Sequence, residues 1–395
     1  MKTISLQVLH CSDTHLDKNF SISNLAKAIQ RKEDLNNNFS KVVDYAVKNK
    51  PDVFLMTGDV FDKILPTNAS RVFLTQEIKR LKDANIAIFI IGGNHDVPRF
   101  GVSPSLAIDV LDSAGIATVF SRSDIIQKKK LTIKGKTVCV SGRSYYTLFE
   151  GANPLKDVEV PLDGDYNILM IHGSLQGLNV SSSVPEMAYQ NPFLADDIKK
   201  GLSYLALGHF HNHFEREHMG CKIVNPGSTE KLTWAEMNDE KGFVWAELNG
   251  SETTTEFIKL DTRPMETNEL TLSKNETYPK GIKQYVLDFL SKTTNPEKIL
   301  KLSLQGLISQ EQYNQLKINE LLTACNDKFF NLQIDRKDLE LEGYGKVFLE
   351  RIDNPVEAYS KRLDALINQT KPDDPNRQLL EQAKSLGIKY LEAAK

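Results

Sequence analysis

The chain has 395 residues, enough for two or three domains of roughly 100–200 residues each, and this excludes a single small binding module. With 40% hydrophobic and 26% charged residues it fits a soluble globular protein, not a disordered or fibrous one. A net charge of −3 gives no long-range attraction for polyanions, so any nucleic-acid binding has to be local.

From the N-terminus, Ile4–His10 reads as a strand, 38–49 as a helix, Val53–Met56 as a buried strand, 70–84 as a helix, Ile86–Ile91 as a strand and 104–114 as a helix. Segments around 133–141, 166–171, 202–207 and 222–225 complete the strand set of a layered α/β domain. No run reaches the roughly 18 apolar residues of a membrane span, and the apolar stretch at 4–9 is interrupted, so neither a span nor a signal peptide is expected. Cys11, Cys139, Cys221 and Cys325 are far apart without CxxC spacing, which argues against disulfides and thiolate zinc and for a reducing, cytoplasmic setting. Near Leu260 the composition shifts. Thr262-Arg-Pro-Met-Glu-Thr267 reads as a linker into a small α+β unit, with strands 266–273, 298–304 and 329–335 and helices 280–292 and 309–325. Past Asn354-Pro355, one stripe of Val356, Tyr359, Leu363, Leu366 and Ile367 and a second of Leu379, Leu380, Ala383, Leu386 and Tyr390 predict two amphipathic helices, broken at Lys371-Pro-Asp-Asp-Pro375.

All eight histidines fall between His10 and His218, so histidine chemistry belongs to the first part of the chain. Five segments carry ligand-type side chains just after strand ends: Asp13-Thr-His15, Gly58-Asp59-Val-Phe-Asp62, Gly93-Asn94-His95-Asp96, His172-Gly173 and Gly208-His209-Phe-His211. Any one histidine after a strand is more often a hydrogen-bonded core or surface residue than a ligand. Together the five supply the oxygen and imidazole donors of a dinuclear metal site, suited to manganese, iron or zinc. Two ions roughly 3.5–4 Å apart need a shared carboxylate, for which Asp59 is the natural bridge.

The series DxH, GDxxD, GNHD, H and GHxH resembles the calcineurin-like metallophosphoesterase superfamily. Within it, Ser12-Asp13-Thr-His15-Leu16, Gly92-Gly93-Asn94-His95-Asp96, Leu207-Gly208-His209-Phe-His211 and Asn225-Pro-Gly-Ser-Thr-Glu230 are similar to the DNA-repair nucleases of the SbcD and meiotic-recombination-eleven type. The resemblance implies an α/β fold: a four-layer metallophosphoesterase β-sandwich flanked by helices (1–260), a smaller α+β capping domain that presents DNA (262–350) and C-terminal helices (354–395). It implies a first ion on Asp13, His15, Asp59 and His211, a second on Asp59, Asn94, His172 and His209, with manganese the favoured metal. His95 is then the proton donor to the departing 3′ oxygen, oriented by Asp96. The implied activity is 3′→5′ exonuclease and single-strand endonuclease in double-strand break repair, on double-strand ends, hairpins and single strands. The implied partners are a second copy of the chain and an SMC-like coiled-coil ATPase of the SbcC type docked on the C-terminal helices. The setting would be the cytoplasm, on the nucleoid in a prokaryote.

Two departures stand out. Asp62 occupies a position where many relatives carry a second catalytic-type histidine, and Asp17 replaces a glycine. His213 and His218, beside Glu215-Arg-Glu217, read as surface residues, His10 as a core histidine and Lys128-Lys-Lys130 as a solvated turn. Asn225-Pro-Gly-Ser228 could be only a tight turn, though the resemblance places it at the metal rim. The alternatives are a phosphoprotein phosphatase or cyclic-nucleotide phosphodiesterase on the same site, and an inactive DNA-tethering scaffold. Lys63 and Asp96, where phosphatases carry arginine and glutamate, count against the phosphatase, and the intact ligand set counts against the scaffold.

Overall fold

A computed structural model of the chain describes residues 5–98, 105–145, 151–177, 182–184, 187, 189–250, 252–343, 345–346, 355–370 and 374–393. It divides into two units. The first is the chain up to Glu266 with Asn295–Ile299 and Phe329–Asn331, and the second is Thr267–Thr294, Leu300–Lys328 and everything from Leu332 onward. The elements in order are β1 (Leu6–Cys11), α1 (Leu25–Asn49), β2 (Val53–Thr57), α2 (Asn68–Asp83), β3 (Ala87–Ile91), α3 (Asp109–Ser113), β4 (Thr118–Phe120), β5 (Gln127–Ile133) and β6 (Lys136–Arg143). Then come β7 (Tyr166–His172), β8 (Ser174–Gln176), β9 (Pro192–Leu194), β10 (Tyr204–Gly208), β11 (Phe214–His218), β12 (Cys221–Asn225), β13 (Lys241–Asn249) and β14 (Glu252–Leu260). The remainder are β15 (Met265–Thr271), α4 (Ile282–Ser291), β16 (Asn295–Ile308), α5 (Gln310–Leu316), α6 (Ile318–Ala324), β17 (Phe329–Leu341), β18 (Gly345–Lys346), α7 (Pro355–Gln369) and α8 (Pro375–Ala393).

The first unit is built on two six-stranded sheets, ordered β14-β13-β1-β2-β3-β4 and β11-β12-β10-β7-β6-β5. In each, four strands run parallel: β1 to β4 in one, and β12, β10, β7 and β6 in the other. Parallel strands buried on both faces read as continuous apolar runs, and the period of two sorts each residue into a layer. Phe54 and Met56 pack with Leu9, Phe39, Val43 and Ile78 under α1 and α2, whereas Val53 and Leu55 pack with Ile168, Met170, Ala206 and Val244 between the sheets. On the far face of the second sheet, Leu169, Ile171, Leu205 and Leu207 meet Leu155, Phe193 and Ile198. The layers are helices, sheet, sheet and an outer cover.

A polar seam crosses the otherwise apolar space between the sheets. His10 bonds Thr57 Oγ1 at 2.9 Å and Tyr204 OH at 3.1 Å, while the Thr57 hydroxyl donates to Leu207 O at 2.8 Å. Burial lowers the His10 pKa to about 3, so the ring is a neutral, hydrogen-bonded core residue.

Helix α1 begins well before residue 38, the start that the sequence predicts. Asn24 caps it by accepting from Lys27 N at 3.2 Å, and the stripe Leu35, Phe39, Val42, Val43 and Ala46 holds it to the sheet. The run Asn36-Asn37-Asn38 has weak helix propensity. It remains helical because Asn38 is buried and its Nδ2 donates to Thr229 O (3.2 Å) and Glu230 Oε2 (3.1 Å), tertiary bonds that outweigh weak propensity. Lys128–Lys130 form strand β5 rather than a turn, and Glu215–Glu217 lie in β11 rather than a loop. Of the expected helix 104–114, Asp109–Ser113 is helical, and residue 104 lies outside the described residues.

The second unit carries the sheet β15-β16-β17-β18, with α4, α5 and α6. Leu300, Leu302 and Leu304 alternate inward and are buried, as are Val286, Leu290, Leu316 and Leu321 of the helices. The helix predicted over 309–325 is split at Lys317, whose φ of 46° breaks the helical hydrogen-bond ladder. Helices α7 and α8 pair, with Tyr359 OH donating to Ala383 O (2.8 Å), and Gly387 leaves the room that the Tyr359 ring fills. Among the described residues no helix is long and apolar enough to cross a membrane.

Replacing Asn38 with alanine would leave a buried carboxylate and carbonyl without their amide donor. We expect a loss on the order of 1–3 kcal/mol in urea unfolding, and an unchanged midpoint would show that these bonds carry no net weight.

Candidate metal centre

The carboxyl ends of the central parallel strands of both sheets open onto the same place. β1 delivers Asp13 and His15, β2 delivers Asp59, β3 leads to Asn94 and His95, β7 ends at His172, and β10 is followed by His209 and His211. The loops turn hard to do so. Asp13, His15, Asp59 and His209 all have positive φ (51°, 43°, 47° and 101°), costing on the order of 1–3 kcal/mol each, which the buried bonds around them offset. Gly58, at φ 91°, has no alternative, because a Cβ there would lie 2.5 Å from His172 Nδ1 and 2.8 Å from Gly93 N.

Three groups of donors result among the described residues; the third, Asp62 and His95 with His15, shares that histidine with the first of the two described next. Asp13, His15 and His211 offer ligand atoms within 4.8 Å of one another, as do Asp59, His172 and His209. Asn94 Oδ1 joins the second group, 3.0 Å from His172 Nε2 and 3.1 Å from His209 Nδ1. Asp59 Oδ2 is equidistant between the groups, 3.5 Å from both His15 Nε2 and His172 Nε2, where a bridging carboxylate oxygen would stand. All donors of these two groups except Asn94 are buried.

Each histidine is held by its outward nitrogen. His15 Nδ1 faces Asp62 Oδ1 at 3.1 Å, His211 Nδ1 faces Glu236 Oε1 at 3.0 Å, His172 Nδ1 faces Thr57 O at 2.8 Å and His209 Nε2 faces Met187 O at 3.0 Å. All four outer partners are acceptors, so each ring places its proton outward and, when neutral, aims a lone pair inward. His15 Nε2 and His211 Nε2 consequently meet at 3.2 Å as two acceptors, an arrangement that a cation between them satisfies. Burial keeps His15 and His209 neutral, lowering the latter to about 3. His172 goes the other way: burial opposes charge, but the Asp59 carboxylate prevails and raises it to about 9, so a proton occupies the position suited to a metal. Acceptors converging in this way fit two divalent cations.

His95 stands at the edge, its side chain 38% exposed, with Nδ1 3.0 Å from Asp62 O and its ring 4.8 Å from that of His15. The sequence expects Asp96 to orient it, and the hydrogen bonds of the Asp96 carboxylate run to backbone amides. The buried Asp96 carboxylate accepts from Val60 N (3.0 Å), Phe61 N (2.9 Å) and Gly93 N (2.9 Å), tying the Asp59 loop to the Asn94 loop. Burial and the nearby Asp59 raise its pKa to about 7. Asp62 supports the His15 ring and also takes Lys18 at 2.9 Å; burial would raise its carboxyl, but these two partners hold it at about 2. Asp17, at φ 68°, accepts from Thr67 N and so fixes the start of α2. His213, bonded to Asn225 O at 3.0 Å and stacked on Phe257, is in neither donor group. The Asn225–Ser228 turn holds the histidine loop from behind, with Asn225 Nδ2 donating to Phe210 O (2.6 Å) and Ser228 N to His211 O (3.0 Å). Sequence reasoning missed Glu236 and Thr57. Neither has a motif, and a single acid in a loop ordinarily reads as solvated.

In the metal-free protein, Asp59→Asn is expected to lower the His172 pKa from about 9, since the largest charge opposing burial is then gone while Asp13 and the Thr57 carbonyl still favour the proton. NMR titration of the imidazole measures this, and an unchanged value would remove Asp59 as the controlling charge.

Residues 6–224 match the family model for calcineurin-like phosphoesterases. The DNA double-strand break repair protein Mre11 of Sulfolobus acidocaldarius is 26% identical over 77% of this chain and 76% of its own length. The protein of that name from Methanococcus maripaludis is 24% identical over 92% of both chains. An uncharacterized metallophosphoesterase, YhaO of Bacillus subtilis, is 29% identical over 64% of this chain and 60% of its own. The matched residues include every donor of both groups, and the chain therefore belongs to the calcineurin-like phosphoesterase family of metal-dependent hydrolases.

Proposed function

We propose that this hydrolase is a DNA nuclease of double-strand break repair, acting with two manganese ions as a 3′→5′ exonuclease and single-strand endonuclease. The observation that carries the reading is the reach of the similarity: relatives named for double-strand break repair align beyond the residues that surround the ions, over 92% of both chains in one case. A phosphatase for small esters has no need of the second unit. Asp13, His15, Asp59, Asn94, His172, His209 and His211 would hold the two ions, which would supply a water of lowered pKa for attack on phosphorus and positive charge for the phosphoryl oxygens. His95, anchored through Nδ1 on the Asp62 carbonyl, turns Nε2 to the departing 3′ oxygen as proton donor.

The test is product analysis with manganese on end-labelled duplex and hairpin DNA beside p-nitrophenyl and cyclic-nucleotide phosphoesters. Hydrolysis of the small esters alone would favour the other phosphoesterase reading. His95→Ala should lower turnover on the order of 10²–10⁴-fold while manganese and DNA affinities hold. An equal fall in metal occupancy would make His95 a ligand.

In the same reading the α+β unit presents DNA strands, the protein works as a homodimer in the cytoplasm, and the C-terminal helices dock an SMC-like ATPase. Within α7, Leu363 and Ile367 are buried on the face that carries Tyr359, whereas Leu379, Leu386 and Tyr390 of α8 are 57–69% exposed. The face offered to the partner is the α8 one. Leu379→Glu with Leu386→Glu should abolish co-purification with the ATPase and leave both p-nitrophenyl ester hydrolysis and melting temperature unchanged. A fall in melting temperature with the partner retained would assign the face to this chain's own core.

A further inference from the structure

The two donor groups are built unequally. The Asp13 group contributes a carboxylate of its own beside the shared Asp59, and both of its imidazoles are backed by carboxylates, Asp62 and Glu236. The Asn94 group has a neutral amide in the place of Asp13, and both of its imidazoles are backed by backbone carbonyls, those of Thr57 and Met187. Ligand charge and rigidity set the affinity for a divalent cation, and a carboxylate behind an imidazole raises its donor strength.

Glu236 is the more elaborately fixed of the two backing acids. It is fully buried in a short 3-10 turn (Trp234–Glu236), where Oε1 accepts from His211 Nδ1 and from Thr233 Oγ1 at 2.9 Å. Oε2 accepts from Lys241 Nζ at 2.8 Å and from Leu232 N at 3.2 Å. Lys241, also fully buried, donates in addition to His211 O at 2.7 Å, so one ammonium holds both the ligand's backbone and the carboxylate behind its ring. Removing a charged pair from water is costly, and the bonds that compensate here converge on His211. Both residues lie beyond the 6–224 that match the family model.

We propose that the ion on Asp13, His15 and His211 is resident and the ion on Asn94, His172 and His209 exchangeable, and that Glu236, locked by Lys241, is a positioning residue for the resident ion. This rests on the dinuclear reading of the centre and not on DNA being the substrate.

The test is titration of the metal-stripped full chain with manganese alone, followed by calorimetry and electron paramagnetic resonance. Two classes at least about tenfold apart are expected, the first equivalent giving an isolated-ion spectrum and the second a spin-coupled pair. Equal classes, or coupling from the first additions, would overturn the proposal; failure to bind manganese would overturn the dinuclear reading with it. Glu236→Gln should weaken the first class on the order of 10–100-fold and leave the second in place, and an unchanged first class removes Glu236 from the role. If that variant does not fold, Asn94→Asp serves instead: by adding the missing charge it should draw the two classes together, and an undiminished gap overturns the charge argument. Loss of DNA cleavage with both classes intact would count against the nuclease reading alone.

Discussion

Four imidazoles pinned by their outward nitrogens are the constraint on which the site depends. An unrestrained histidine chooses its tautomer and rotamer by local convenience, and a cluster of them would hydrogen-bond to one another and to solvent. Here Asp62, Glu236, Thr57 O and Met187 O each take the outward proton, leaving His15 and His211 to face each other across 3.2 Å as paired acceptors. The protein has spent folding energy on an arrangement that repels itself until positive charge arrives, the preorganisation that a tight cation site requires.

The same supports explain why a two-sheet core is needed. Thr57, at the end of a strand in one sheet, accepts from His172 at the end of a strand in the other, and its hydroxyl joins His10 and the Leu207 carbonyl just beneath. Sliding one sheet past the other by a residue would break that seam and move two ligand loops relative to the remaining three. Apolar packing between Val53, Leu55, Met170 and Ala206 sets the spacing, while the polar seam sets the register.

Much of this was legible in the sequence, because the donors sit where strand patterns end and glycines permit the turns. Asp59 beside Gly58 and Asn94 beside Gly93 are placed at the tip of the sheet by the strand pattern alone, and the metallophosphoesterase fold follows from the order of the segments. What stayed hidden was whatever depends on distant partners. The first half of α1 hinges on Asn38 reaching the Glu230 loop, the break at Lys317 on a left-handed residue within a helical pattern, and the part played by Asp96 on three amides from two loops. Periodicity records which face a residue turns inward and says nothing of what it meets there.

The positive φ angles at Asp13, His15, Asp59 and His209 bear on how such a centre changes over evolutionary time. Left-handed backbone is tolerated by asparagine, aspartate, histidine and glycine and resisted by β-branched residues, so at these four positions the fold itself narrows the alphabet before chemistry selects within it. A lineage released from catalysis would drift at these positions through asparagine and glycine, keeping its loops and its sheets. The remains of a lost metal centre would then persist as a backbone signature, readable from dihedral angles after the ligands themselves had gone.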